Sequence, residues 1–250
     1  MAAKKSPIVW VVILAIVGAG VLIAISWLSS RPAKPPAQET TTTPAPPPAQ
    51  REQPQQPATA VEKIPGQPTK GVANAPVTIE EFAEFYCPYC ARHLWQTFPK
   101  IDEEYIRPGL VNYVFYNLIV HGEVAQLAAQ AGECAHAQGH FWEYHDRLFH
   151  EIFGEGPARR MEAGDLIALA KDLGLDAEAF AQCLESDWAK AQIEKDRQAL
   201  QELLAQVPQA ERPDRIGTPL FFINGRPLVG AYPYERFKAM IDAELAKQGE

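Results

Sequence analysis

The tetrapeptide Cys87-Pro88-Tyr89-Cys90 stands where one hydrophobic period gives way to another. Before it, residues 77–85 (VTIEEFAEF) alternate well enough for a strand. After it, in 91–105, Leu94, Phe98, Ile101 and Tyr105 recur at helical spacing, and 110–119 (LVNYVFYNLI) are rich in β-branched and aromatic residues, as a second strand would be. Strand, helix, strand is the unit of a parallel α/β sheet with a right-handed crossover. The cysteines therefore open a helix, where unpaired N–H groups and a partial positive charge of about half a unit favour a thiolate at Cys87. Pro88 suits the first helical position because its missing N–H would have had no helical partner. Cys90, one turn on, shares a face with Cys87 and can close a disulfide with it.

The remaining patterns place this unit in a larger domain. Residues 124–138, 140–153, 164–173, 177–184 and 188–207 carry apolar residues three or four apart and read as helices. Residues 220–224 (LFFIN) form a short strand, Asn224-Gly225 is a hairpin turn, 226–229 return, and 233–248 make a last helix. The order is βαβ, a helical block at about 122–208, then ββα.

A CxxC has other readings, half of a zinc site or a structural disulfide. Zinc needs two further soft ligands at suitable spacing. Cys134 and Cys183 are single and far along the chain, and the His136/His140 pair is interrupted by Gly139, so the ligand set fits zinc poorly. A CxxC beside a βαβ pattern points to redox chemistry instead.

Charge narrows the partners. The net charge is −8, but residues 71–250 hold 16 basic against 28 acidic side chains, a net of −12. Nucleic-acid binding needs a cationic face, so it is not expected. The only long apolar run is 8–28, twenty-one uncharged residues with Trp10 and Trp27 near its ends. At about 1.5 Å per residue it spans roughly 30 Å, a bilayer's hydrocarbon core. Lys4 and Lys5 before it, against Arg31 and Lys34 after it, slightly favour the N-terminus inside. A cleaved signal is the competing reading, although its apolar core is normally shorter, about 7–15 residues. Either way the rest of the chain is expected outside the cytoplasm. Residues 31–68 contain eleven prolines in 38 positions and too little apolar surface to offset the entropy of ordering. The expected organisation is a membrane anchor over 1–30, a disordered proline-rich linker over 31–69 and one α/β domain over 70–250.

Three blocks, APVTIEEFAEFYCPYC, CAHAQGHFWEYHDRLF and IGTPLFFINGRPLVGAYPYERF, resemble the DsbA-type thiol-disulfide oxidoreductases, and most of all the CPYC branch whose members are often membrane-tethered. The likeness spans residues 70–248 with the blocks in order. It implies a thioredoxin fold with a helical insertion, which agrees with the pattern above. By that resemblance Cys87 is the exposed nucleophile, Cys90 the buried resolving cysteine, and Pro219 a cis-proline facing them, next to a Thr218 backbone available to a client strand. Glu81, six residues before Cys87, corresponds to a buried acid that exchanges a proton with Cys90; three surface acids, Glu80, Glu81 and Glu84, are the alternative. An ordinary edge-strand proline is the alternative for Pro219, against which the Gly217-Thr218-Pro219 match stands. Cys134 and Cys183 correspond to a second, structural disulfide in some members, or are two buried free thiols. Tyr89 would tune the thiolate and shape the contact surface. His121 is expected in a helix-entry or core role, and Trp142, Tyr144 and Phe149 in the core. No cofactor is implied. The implied partners are reduced or misoxidised client proteins and a membrane thiol-oxidising protein, and the implied activity is oxidation of clients during folding. A reductase, an isomerase or a non-catalytic chaperone-like binding domain are the alternatives.

Overall fold

The computed structural model describes residues 66–248. The anchor expected over 1–30 and nearly all of the linker expected over 31–69 lie outside the described residues, among which no helix is long and apolar enough to cross a membrane.

Five strands form one sheet in the order β1-β3-β2-β4-β5: β1 (Thr69–Lys70), β2 (Val77–Ala83), β3 (Val111–Asn117), β4 (Leu220–Ile223) and β5 (Arg226–Val229). Only β2 and β3 run parallel, which requires the crossover that the first helix supplies. Thr69 and Lys70 pair with Val114 and Tyr113, so the sheet begins at the end of the stretch expected to be linker. Asn224-Gly225 makes the β4–β5 turn with both residues at positive φ, and the Asn224 side chain also accepts from the Thr78 N–H at 2.8 Å.

The helix expected over 91–105 is broken. Helix α1 (Pro88–Gln96) stops before a short α2 (Phe98–Ile101) and a π-helical turn at Asp102–Ile106. Pro99 explains the break, because it has no N–H for the carbonyl four residues back.

The insertion between β3 and β4 comprises five helices, α3 (Glu123–Ala137), α4 (Phe141–Phe153), α5 (Ala163–Asp172), α6 (Ala177–Glu185) and α7 (Asp187–Gln206). Helix α8 (Tyr234–Ala246) is the last element among the described residues. Alternation in β2 distributes the core. Val77 and Ile79 join Tyr113, Phe221 and α8, and Ala83 and Phe115 join the insertion helices. Phe82 faces the other way, with Phe222 and Leu200 of α7. Gly132 lets α3 approach the strand-to-helix turn, since a Cβ there would meet the Phe85 ring at 3.0 Å. Tyr144 and Phe149 are core residues, while Trp142 is half-buried and donates its indole N–H to Thr69 O at 3.0 Å.

One polar junction lies inside the fold. The Asn117 side-chain amide donates to Glu133 Oε1 at 2.8 Å and to Asp196 Oδ2 at 2.9 Å, and Gln67 donates to Asp196 Oδ1 at 2.8 Å. It joins the end of β3 to α3, α7 and the chain before β1. Burial pushes Glu133 up to about 8 and Asp196 up to about 6.

Candidate active site at the start of helix α1

Strand β2 delivers the chain to Cys87, which caps α1 in an extended conformation (φ −86°, ψ 114°), with Pro88 at the helix start. The cap is made by sulfur: Cys87 Sγ accepts the Cys90 N–H at 3.2 Å. As a thiol, Cys87 also donates to the Thr218 carbonyl at 3.3 Å. Both cysteines are free.

These contacts separate the two thiols. Cys87 is held down to about 6, first by a hydrogen bond from the Cys90 thiol, then by the Thr218 hydroxyl and the N–H groups of Cys90 and Tyr89, against opposing desolvation. At pH 7 a group with that value is thiolate by roughly ten to one. Burial pushes Cys90 well above the ordinary thiol value, and the charges of Cys87 and Glu81 add to it. Of the two sulfurs, the proton stays on Cys90.

Cys87 is not the exposed residue that the resemblance implies; it is only 1% exposed. The capping position turns its sulfur back onto the helix N–H groups and against Thr218. The accessible residues of the tetrapeptide are Pro88 and Tyr89, the latter 56% exposed with the Arg92 guanidinium 4.9 Å from its ring centroid.

The Thr218–Pro219 peptide is cis. Pro219 is buried at the entry to β4, which lies between β2 and β5, so it is not an edge-strand proline. Half-buried Thr218 turns its carbonyl towards Cys87.

Glu81 lies on the core face of β2, 5% exposed, and accepts the Tyr113 hydroxyl at 2.7 Å. Desolvation pushes it up to about 8; the Tyr113 hydrogen bond opposes this and the Cys87 charge adds to it. Glu81 and Cys90 line one cavity under α1, of about 10 Å³, together with His93, Phe98, Trp142 and His145.

A thioredoxin family model matches residues 63–243. Disulfide bond formation protein D of Bacillus subtilis is 31% identical over 185 residues, covering 73% of this chain and 78% of that protein. The crystal structure of oxidised BdbD from Bacillus subtilis superposes with a TM-score of 0.61 at 30% identity, over 75% of this chain and 98% of that one. The α-DsbA1 structure from Wolbachia pipientis shares the fold, with a TM-score of 0.61 at 23% identity over 76% of this chain and 97% of that one. The chain belongs to the DsbA-type thiol-disulfide oxidoreductases of the thioredoxin family.

In this oxidoreductase Cys87, Pro88, Tyr89, Cys90, Glu81, Thr218 and Pro219 come together around one turn. Cys134 and Cys183 do not belong to it. They form a disulfide that ties α3 to α6, which also removes them as soft metal ligands.

Two features escaped the sequence reading. Glu84, grouped there with surface acids, is fully buried; it accepts the N–H groups of Val120 at 2.9 Å and His121 at 3.2 Å and pairs with the His121 imidazole. His121 accordingly stands at the helix entry and not in the core. Its side chain is 48% exposed on the turn before α3, drawn there by the buried carboxylate. The second is His93, 1% exposed, whose Nε2 lies 3.1 Å from the Tyr113 hydroxyl. Its position three residues after Cys90 places it on the same helix face, a signal the sequence did contain. Tyr86 joins the turn to the loop before α5, accepting from Met161 N–H at 2.7 Å and donating to Arg159 O at 3.2 Å.

Proposed function

We propose that this oxidoreductase oxidises client proteins outside the cytoplasm, held at a membrane by residues 8–28, and that a membrane thiol-oxidising partner restores its disulfide. A client thiolate attacks Cys87 Sγ of the oxidised pair, and the bond to Cys90 breaks. Cys90 is the poorer leaving group, and the Glu81 carboxylic acid supplies the proton that its thiolate takes up. A second client thiolate attacks the client sulfur of the mixed disulfide, and Cys87 departs as a stabilised thiolate. The client loses two electrons and the Cys87–Cys90 pair gains them. Thr218, beside Cys87, offers backbone to an extended client segment, and exposed Tyr89 adds apolar contact.

The observation that carries this direction is the set of hydrogen bonds converging on Cys87 Sγ. They stabilise the reduced form and so make the disulfide oxidising. The Cys134–Cys183 disulfide supports a location outside the cytoplasm, since such bonds persist in oxidising compartments. The uncharged run and proline-rich stretch that precede the domain support the tether. Equilibration of the full-length chain with glutathione tests the direction. The expected potential lies well above that of thioredoxin, about −270 mV; a value close to thioredoxin's would make the protein a reductant.

A further inference from the structure

Glu81 must gain and lose a proton inside the core if it serves Cys90, and the hydrogen bonds behind it form a path. We propose that Tyr113 and His93 are positioning residues for the exchange reaction, a hydrogen-bond chain in which His93 changes tautomer each time Glu81 gains or loses its proton. This rests on the exchange chemistry of the Cys87–Cys90 pair described above.

The tyrosine has one hydroxyl proton and two neighbours. It donates that proton to Glu81 Oε2 at 2.7 Å, so its oxygen must accept from His93 Nε2–H at 3.1 Å. His93 is then the Nε2–H tautomer and its Nδ1 carries a lone pair. Among the described residues no polar group reaches that Nδ1, although it is buried. His93 also lines the cavity that Glu81 and Cys90 share. At about 10 Å³ that cavity is near the lower limit for one water molecule.

The opposite polarity of the chain is equally complete. When Glu81 is a carboxylic acid with its O–H towards Tyr113, the tyrosine proton turns to His93 Nε2, and the imidazole proton sits on Nδ1. Passing from the first state to the second takes one proton from solvent at Nδ1 and passes one on to Glu81, a net gain of one. Three bonds to hydrogen break and three form, and neither ring is left charged. Run backwards, the same chain returns a proton from Glu81 to solvent through Nδ1.

The surroundings favour a neutral ring. His93 packs against Phe98, Phe221 and Phe237. Desolvation, aided by His145, holds it down to about 3, so it shifts between tautomers instead of charging. The other ionisable groups facing Glu81 and His93 are Cys87 and Cys90 of the α1 turn and His145 of α4, which pairs with Asp146 and feels Lys70 of β1.

Histidine-selective 15N NMR of the full-length reduced chain in detergent tests this. The protein has six histidines, and the spectrum of a His93→Gln variant assigns the His93 signals. The expected result is a change from Nδ1–H at low pH to Nε2–H at high pH, over the range in which Glu81 titrates. One unchanging tautomer from pH 5 to 10 would overturn the proposal. A Tyr113→Phe variant supplies a second readout: loss of a hydrogen bond to a carboxylate should move the pH profile of disulfide exchange upward by about one unit or more. An unmoved profile in a folded Tyr113→Phe variant would also overturn it. The two readings fail separately, since a wild-type chain that switches tautomer without exchanging disulfides would contradict the proposed function and leave the chain standing.

Discussion

The amide of Cys90 donates to the sulfur of Cys87 across 3.2 Å, so the second cysteine of the pair stabilises a thiolate on the first. The Cys90 thiol contributes still more, as the first of the influences holding Cys87 down. Chemistry and electrostatics are joined in one side chain.

Replacement of Cys90 by alanine therefore has two expected effects. The backbone hydrogen bond survives and the thiol hydrogen bond is lost, so the Cys87 value should rise by about one unit. The rate of alkylation against pH measures this. The variant should also accumulate mixed disulfides with clients, because no thiol remains to resolve them. A Cys90→Ala protein with an unchanged alkylation profile would remove the shared proton from the account.

Stability should separate the reduced and oxidised forms in a pH-dependent way. Cys87 titrates at about 6 when folded and near 9 when unfolded. A depressed value gives stability that is fully present above the unfolded value and is lost as pH falls through about 6. The disulfide form has no such thiolate. The melting temperature of the reduced form relative to the oxidised form is thus expected to rise between pH 5 and pH 7; a flat difference would contradict the assignment.

Glu81 works with the opposite sign. Its folded value, raised to about 8, gives stability present below the unfolded value and lost as pH rises through about 8. Glu81→Gln keeps the shape without the charge, so the variant should be more stable than the parent at pH 9 and nearly equal at pH 5, by thermal unfolding of the oxidised form. Its exchange should slow by about a hundredfold, the lower end for loss of a proton-transfer group. An exchange rate equal to the parent's would leave Glu81 as a core residue only.

Much of this was legible because local chemistry and long-range packing agree. Alternation in β2, the helix-start chemistry around Pro88 and the Asn224-Gly225 turn each depend on neighbours a few residues away. The break at Pro99 was equally local but was hidden by helical spacing that continues through Leu94, Phe98 and Ile101. Glu84 could not be read, because its partners arrive from the loop after β3 and nothing in EEFAEF separates a buried acid from exposed ones. The Asn117–Glu133–Asp196 junction was out of reach for the same reason, its members coming from three elements. Tyr113 registered only as a strand former, although its hydroxyl organises Glu81 and His93.

The buried carboxylate of Glu84 yields the last prediction. It accepts two consecutive backbone N–H groups and the His121 imidazole, and its own carbonyl accepts the Cys87 N–H at 3.3 Å. One residue thus fixes the loop after β3 against the turn that carries Cys87. Glu84→Ala removes the acceptor for Val120 and His121 and should cost about 1–3 kcal/mol, the usual penalty for unpaired buried groups. Amide exchange at Val120 and His121 should accelerate first, ahead of the sheet, because the opening is local. His121→Ala removes only the exposed half of the contact, and its cost should stay below about 1 kcal/mol. If both variants lose the same stability, the backbone contacts are not what Glu84 provides, and the ion pair with His121 carries the loop.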